Sequence, residues 1–198
     1  MPAANQSVEL TGCYIAAIGY LVQIRPARCR AVHLIVYEKI MKIRLGTISD
    51  TKKISQTHKD SIQKLCKDHY SSENIEKWTS ILDPKIYENA IKEKILIVAE
   101  EENEILGFGI LDVYNSELCA IYVDPEHTKK GVAADLLHKL ESLALEKNVN
   151  RLNTCSTMNA LEFYKHHGYI DTEKSFHQLP NGVKLECIKM YKILIKHV

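Results

Sequence analysis

The stretch "VDPEHTKKGVAADLLHKLE", residues 123 to 141, passes from a hydrophobic run through a proline and two lysines into a helical pattern. A helix that begins soon after a strand presents backbone N–H groups without partners, and its dipole adds partial positive charge there. Such an end suits a pyrophosphate, and Gly131 permits a close approach because it has no side chain. Taken alone, the loop fits equally well a solvated turn in which Lys129 and Lys130 are surface charges.

The periodicity of apolar residues on either side of this stretch predicts the remaining elements. In the helix itself, the residues predicted to face solvent are Asp135, His138, Lys139 and Glu141. The predicted strands are residues 42–46, 95–100, 105–114, 118–123, 151–156, 169–177 and 183–194. The predicted helices are residues 49–69, as one or two helices, and residues 72–82, 84–90, 131–147 and 158–168. This order predicts an α/β (α+β) fold in which helices cover both faces of a single mixed sheet.

The balance of charges limits the classes of partner. The chain has 198 residues, with 26 Lys and Arg against 25 Asp and Glu, so its formal net charge is +1. A general nucleic-acid or membrane binder would carry a marked basic excess, so neither partner is expected. Any site for an anion must therefore be local.

The cysteines and histidines show no spacing typical of a metal site. The six cysteines are scattered without a CxxC pair, and the nine histidines form no HExxH pattern. We interpret the cysteines as reduced thiols of a cytoplasmic protein and expect no bound metal.

The first forty residues differ in pattern from the rest of the chain. The apolar stretch from Tyr14 to Val22 is too short to span a bilayer, and a basic patch follows it. A strand and a helix cap follow Met41, as at the start of a domain. We therefore expect residues 1–40 to be an extension outside the core, arising from an over-long start, and residues 41–198 to form the functional domain.

Two motifs at the expected separation resemble those of the GNAT N-acetyltransferase superfamily. The family loop Q/R-x-x-G-x-G/A corresponds to residues 128–133, which read "TKKGVA", although Thr128 and Lys129 depart from its usual residues. The family pattern A-x-x-F-Y-x-x-x-G-F/Y is complete at Ala160, Phe163, Tyr164, Gly168 and Tyr169. The resemblance covers residues 41–194 and implies a mostly antiparallel sheet of about six to seven strands. Residues 69–78 are also similar to small bacterial acetyltransferases of the YafP type.

This resemblance implies acetyl-CoA as the cosubstrate, with no metal. Pantetheine would lie along the backbone of the strand that precedes the loop, and the pyrophosphate would bind the amides of the loop. Thr157 stands where the family often has an asparagine, with Asn159 close by, so contact of that position with pantetheine stays open. The implied cofactor-binding residues are Ile121, Tyr122, Val123, Lys129, Lys130, Gly131, Val132, Ala133, Ala134, Thr157, Asn159 and Phe163.

The resemblance also implies two catalytic groups. Tyr164 matches the tyrosine that often protonates the departing thiolate, and Glu117 lies where some members carry a glutamate base. Each also fits a plain structural role, Tyr164 as a core tyrosine and Glu117 as a solvated carboxylate. Cys119 fits a small core thiol better than an acyl carrier. His69 and Trp78, in the helices that line the acceptor site in the family, fit helix packing better than substrate binding.

Two functions of different classes follow from these residues. The first is an acetyl-CoA-dependent N-acetyltransferase that acts by direct attack of a primary amine, on a small molecule or a protein. The alternative is a non-catalytic acyl-CoA sensor of the same fold, against which the intact pair Phe163-Tyr164 argues. The near-zero net charge gives no support to a toxin or nucleic-acid-linked factor. The acceptor, the base and the choice between monomer and homodimer stay open.

Overall fold

The computed structural model describes residues 41–195, which belong to one compact unit. The strands are β1 (Lys42–Leu45), β2 (Ile95–Glu101), β3 (Glu104–Asp112), β4 (Glu117–Val123), β5 (Arg151–Thr157), β6 (Ile170–Gln178) and β7 (Lys184–Ile193). The α-helices are α1 (Thr51–Leu65), α2 (Ser72–Ser80), α3 (Pro84–Glu93), α4 (Val132–Glu146) and α5 (Leu161–His166). Residues 1–40, including the apolar stretch and the predicted extension, lie outside the described residues.

The seven strands of this region form one sheet in the order β1-β2-β3-β4-β5-β7-β6. All neighbouring pairs are antiparallel except β4 and β5, which run parallel. The parallel pair arises because α4 connects β4 to β5 as a crossover. The prediction of a mixed, mostly antiparallel sheet is confirmed.

Helices cover both faces of the sheet, as predicted. On one face, α4 and α5 pack over a core that contains Leu136, Leu140 and Leu152, each fully buried. On the other face, α1, α2 and α3 bury two smaller apolar clusters, one around Trp78 and one around Phe108. The sheet therefore separates the two helical layers, and any site that involves both layers must pass through or around its strands.

The side of α4 that holds Glu141 was predicted wrongly. Glu141 is buried rather than solvent-exposed, and both of its carboxylate oxygens accept hydrogen bonds from Lys192 Nζ at 2.8 Å. The buried carboxylate is tolerated because this pairing compensates its loss of hydration. Lys192 lies on β7, so the local pattern of α4 contains no sign of the pair.

Several element ends differ from the sequence prediction by a few residues. The first long helix ends at Leu65 rather than at residue 69, and β3 ends at Asp112 rather than at residue 114. The N-cap of α2 is Ser71, whose side chain accepts a hydrogen bond from the backbone N–H of Asn74 at 3.2 Å. Helix ends of this kind depend on capping geometry that neighbouring serines can each supply.

The parallel strands β4 and β5 are paired at only one position, where Glu117 lies opposite Asn153. Beyond that pair each strand continues in register only with its other neighbour, β3 for β4 and β7 for β5. The β3–β4 register also shifts between Ile110 and Leu111, as at a β-bulge. The result is a V-shaped opening within the sheet that widens toward the loop before α4.

The ion pair between Asp50 and Arg44, at the edge of the sheet, should affect the stability of the protein in acid. Arg44 Nη1 donates to Asp50 Oδ2 at 2.7 Å, and this hydrogen bond is the main reason why the pKa of Asp50 falls from 3.8 to about 2. A depressed folded-state pKa stabilises the protein above the unfolded value, and that stability is lost as the pH falls from about 4 to about 2. Asp50→Asn should lower the free energy of unfolding at pH 7 by about 1 to 2 kcal/mol and flatten its fall below pH 4.

Urea unfolding at a series of pH values measures both effects. Asp68→Asn, which removes an exposed carboxylate, controls for the change in net charge. If the free energy of unfolding of Asp50→Asn falls with acid as steeply as the parent's, this ion pair does not govern the loss of stability at low pH.

Candidate active site

A cavity of about 850 Å³ lies in the V-shaped opening between β4 and β5 and extends to the loop before α4 and to α5. We call it the large cavity. Most residues that the resemblance implies as cofactor-binding lie in its wall, together with the implied proton donor Tyr164. These are Ile121, Tyr122, Val123, Lys129, Gly131, Val132, Ala133, Ala134, Thr157, Asn159, Phe163 and Tyr164.

Two of the implied residues do not line the large cavity. Lys130 is exposed on the loop, and its side chain lies outside the cavity wall. Glu117 lines a second space of about 380 Å³, the small cavity, together with Arg151, Phe176 and Tyr191. Thr154 and Cys155 line both cavities, so the two spaces adjoin along β5.

The loop before α4 exposes the first amides of that helix. Gly131 is the N-cap, with a left-handed backbone at φ 87°, and its carbonyl accepts from the N–H of Asp135 at 3.0 Å. The N–H groups ahead of Asp135 have no carbonyl one turn back inside the helix. A Cβ added to Gly131 would meet only Asp135 Oδ2, at 3.9 Å, so the space in front of the backbone is open. This end of the cavity is therefore suited to an anionic group.

Tyr122 lines the large cavity, and its side chain packs against His58 of α1 and Phe108 of β3. Its ring lies 3.7 Å from the imidazole of His58, centroid to centroid, and Phe108 stacks on it at 5.7 Å. Burial lowers the pKa of His58 to about 3, so this histidine is neutral at working pH. The aromatic packing fixes the position of β4, whose residues Ile121 to Val123 line the large cavity.

Tyr164 contributes a buried hydroxyl group to the wall of the large cavity. Its residue is 6% exposed, and burial raises its pKa well above the usual value, which a hydrogen bond with Thr154 only partly offsets. The hydroxyl of Thr154 in turn donates to the carbonyl of Leu118 on β4 at 2.9 Å. The phenol is thus held in protonated form beside the point where β4 and β5 separate.

The cysteines around the cavity differ from the sequence prediction. Cys155 on β5 and Cys187 on β7 form a disulfide with a Cα–Cα distance of 5.8 Å, so the prediction of reduced thiols is wrong for this pair. Cys66 and Cys119 are free, and both line the large cavity. Cys119 is exposed rather than in the core, and Lys94 Nζ lies 3.5 Å from its Sγ. Cys13 and Cys29 lie outside the described residues.

The sequence analysis missed several groups that line the large cavity. Imidazole side chains from the loop before α4 and from the end of α5 gather there, namely His127, His166 and His167. The run "YKHHG" stands inside the motif that ends with Gly168, so its two histidines could have been assigned to the cavity on that basis. Ser61, Leu65 and Cys66 of α1 complete the wall from the opposite helical layer. No local pattern places α1 against the opening, because that contact depends on the sheet order.

The remaining candidates are structural or peripheral. Trp78 is 5% exposed and packs against Tyr70, with ring centroids 5.7 Å apart, in agreement with the packing interpretation. His69 is exposed, and neither residue lines the two cavities. Among residues 41–195, no group of three or more His, Cys, Asp or Glu side chains is arranged to hold a metal ion. In the same region, no helix is both long and apolar enough to cross a membrane.

Comparison with known proteins identifies the family. The sequence pattern described as the acetyltransferase (GNAT) domain matches residues 66–192. The chain therefore belongs to the GNAT acetyltransferase family. No curated protein sequence matches it significantly.

Solved structures of similar fold agree with this assignment. A GCN5-related N-acetyltransferase of Rhodopseudomonas palustris superposes with a TM-score of 0.73 and is 25% identical, over 79% of this chain and 99% of that one. The PaiA N-acetyltransferase of Thermoplasma acidophilum, in complex with coenzyme A, gives 0.64 at 20% identity, over 78% and 99%. YncA of Salmonella typhimurium, with its cofactor acetyl-CoA, gives 0.55 at 19% identity, over 80% and 96%.

Proposed function

We propose that this protein is an acetyl-CoA-dependent N-acetyltransferase that moves an acetyl group to a primary amine of a small molecule or a protein by direct attack. The observation that carries the proposal is the large cavity, which joins the exposed amides at the start of α4 to the phenol of Tyr164. The complexes of PaiA with coenzyme A and of YncA with acetyl-CoA support the choice of cosubstrate, since both share the fold.

The loop and the strand edge would hold the two ends of the cosubstrate. The pyrophosphate would accept hydrogen bonds from the amides of residues 131–134, where the helix dipole also favours negative charge. Lys129 would add positive charge around the phosphates, and His127 and His166 line the same cavity. The pantetheine arm, which carries amides, would bond to the backbone that β4 turns toward the opening. The dimensions and polarity of the cavity thus suit an elongated ligand with an anionic head.

Tyr164 would supply the proton that the departing thiolate needs. A phenol of raised pKa gives up its proton less readily, so the departing thiolate must be a stronger base than it is in water. Burial raises the pKa of the Cys66 thiol, in the same cavity wall, to about 12. A coenzyme A thiolate in this cavity would lose hydration for the same reason, which makes it basic enough to accept the proton.

The acceptor amine would enter through the small cavity. Glu117 lies in its wall, and the shared residues Thr154 and Cys155 join it to the large cavity. An amine that approaches from there meets the thioester on the side away from the α4 loop. Glu117 would accept a proton from the incoming ammonium group, directly or through water.

Glu117→Gln should alter the pH profile of the reaction. The variant keeps the shape of the side chain but cannot accept a proton. We expect kcat/KM to fall several-fold, roughly three- to tenfold, at pH 6.5 and the loss to shrink as the pH rises and free amine becomes common. Glu126→Gln, which removes an exposed carboxylate in the segment that follows β4, is the matched control. An equal loss at every pH would make Glu117 structural.

Calorimetry with acetyl-CoA, followed by release of free thiol over a panel of amines, tests the proposed function. The panel should include polyamines, aminoglycosides, amino acids and peptide N-termini. Binding together with thiol release that depends on one acceptor class supports an N-acetyltransferase. Binding without release on any acceptor would favour the non-catalytic sensor, and absence of binding would remove both.

We also propose that residues 41–198 suffice for this activity. Among residues 41–195, which the structure describes, seven strands form a complete GNAT-like sheet and the residues that line the two cavities come together. A protein lacking residues 1–40 should therefore bind acetyl-CoA with a Kd within about threefold of the full chain's, which is less than 1 kcal/mol. Calorimetry and thermal unfolding of both proteins measure this. A large drop in melting temperature on deletion would show that the first forty residues contribute to the core.

A further inference from the structure

The disulfide between Cys155 and Cys187 lies at the junction of the two cavities. It links the neighbouring strands β5 and β7, on which Cys155 is opposite Lys189 and Cys187 is opposite Thr157. Cys155 lines both the large and the small cavity. The bond therefore stands on the boundary that a reacting acetyl group and its acceptor would share under the proposed function.

The two sulfur atoms differ in access. Cys187 is 2% exposed and lines neither cavity, whereas Cys155 is partly exposed to both. Attack on a disulfide depends on which sulfur a thiolate can reach. A thiol inside the cavity can reach only Cys155, so Cys187 must be the leaving group.

The proposed reaction releases a thiol beside this bond. Tyr164, which would protonate that thiol, and Cys155 both line the large cavity. Coenzyme A left in the cavity after acetyl transfer would therefore hold its sulfur in a space that Cys155 also lines. In this respect the inference rests on the proposed function.

We propose that Cys155 is a site of covalent modification by coenzyme A through thiol–disulfide exchange. The thiolate of coenzyme A forms a bond to Cys155 Sγ, the Cys155–Cys187 bond breaks, and Cys187 leaves as a thiolate that takes up a proton. One disulfide replaces another, so no external oxidant or reductant is consumed. The reverse attack by Cys187 on Cys155 expels coenzyme A and restores the original bond.

The modified protein would hold its own product in the site. A pantetheine arm tethered at Cys155 occupies the large cavity and closes its junction with the small one. The disulfide thus makes the oxidised protein sensitive to free coenzyme A, while acetyl-CoA, whose sulfur is acylated, does not react.

Mass spectrometry of the oxidised protein tests the inference. Protein purified in air without reductant is first mapped for the Cys155–Cys187 bond, then incubated with coenzyme A, acetyl-CoA or glutathione at equal concentration. We expect one coenzyme A adduct on the peptide of Cys155, formed at least about tenfold faster than a glutathione adduct, because the cavity concentrates the larger thiol. Acetyl-CoA should give none.

A variant and a binding measurement separate this idea from the proposed function. Cys187→Ala has no disulfide and should form no adduct with reduced coenzyme A in the absence of air. Absence of the Cys155–Cys187 bond, an adduct on Cys187, or a rate no faster than that of glutathione overturns the inference. If the reduced protein still binds acetyl-CoA and releases thiol with an acceptor amine in those cases, the proposed function stands and only the exchange is rejected.

Discussion

Tyr164→Phe is expected to lower kcat by about a hundredfold or more on a confirmed acceptor, the usual effect of removing a general acid. The substitution deletes one oxygen from a residue that is 6% exposed and leaves its ring in place. Packing and acetyl-CoA affinity should therefore survive within about 1 kcal/mol. Stopped-flow release of thiol gives kcat, and calorimetry gives the affinity.

The matched control for this variant is Tyr169→Phe. Tyr169 is 3% exposed and its ring centroid lies 5.3 Å from that of Tyr164, but it does not line either cavity. Deletion of its hydroxyl changes the same kind of atom in the same core and should leave kcat near the parent value. Full turnover by Tyr164→Phe would assign the proton to water or to the acceptor.

Gly131→Val is expected to weaken acetyl-CoA binding between about tenfold and a hundredfold. Two causes act together. An isopropyl group would project into the open space in front of the amides, where the pyrophosphate would bind. A β-branched residue at φ 87° is also strained, at a cost of roughly 1 to 2 kcal/mol, and relief of that strain would turn the amides away from the ligand.

A second glycine separates the two causes. Gly182, in the turn between β6 and β7, has φ 84° and no atom within 4 Å of an added Cβ. Gly182→Val should carry the same backbone strain and lower the melting temperature similarly, with no change in the Kd for acetyl-CoA. If Gly131→Val folds and binds as the parent does, the pyrophosphate does not lie on this loop.

Local periodicity was sufficient to predict most of the fold. The stripe of α4 and the apolar run of β2 each bury residues on a face that the spacing alone specifies, as the burial of Leu136 and Val98 shows. Such patterns describe how one element meets its neighbours in general. They do not say which element the neighbour is.

What could not be predicted depends on contacts between distant segments. Glu141 is paired with Lys192, 51 residues later, and Cys155 with Cys187, because β7 inserts between β5 and β6. The resemblance implied Glu117 as the base beside the reacting group. Glu117 lines the small cavity with residues of β5, β6 and β7, and only the three-dimensional register reveals that.

The divergence of β4 from β5 has a consequence for the energetics of the folded state. The two halves of the sheet meet at a seam between β4 and β5. Two hydrogen bonds hold one end of it, from Asn153 N to the carbonyl of Ser116 at 2.9 Å and from the Thr154 hydroxyl to the carbonyl of Leu118. A pantetheine arm in the opening would bond to the free edge of β4 and stand in for a missing stretch of strand. Amide hydrogen exchange should then slow along residues 119–123, and at a hundred times Kd the ligand would stabilise the whole domain by about 2.7 kcal/mol. Occupancy of the seam and resistance to unfolding would thus rise together.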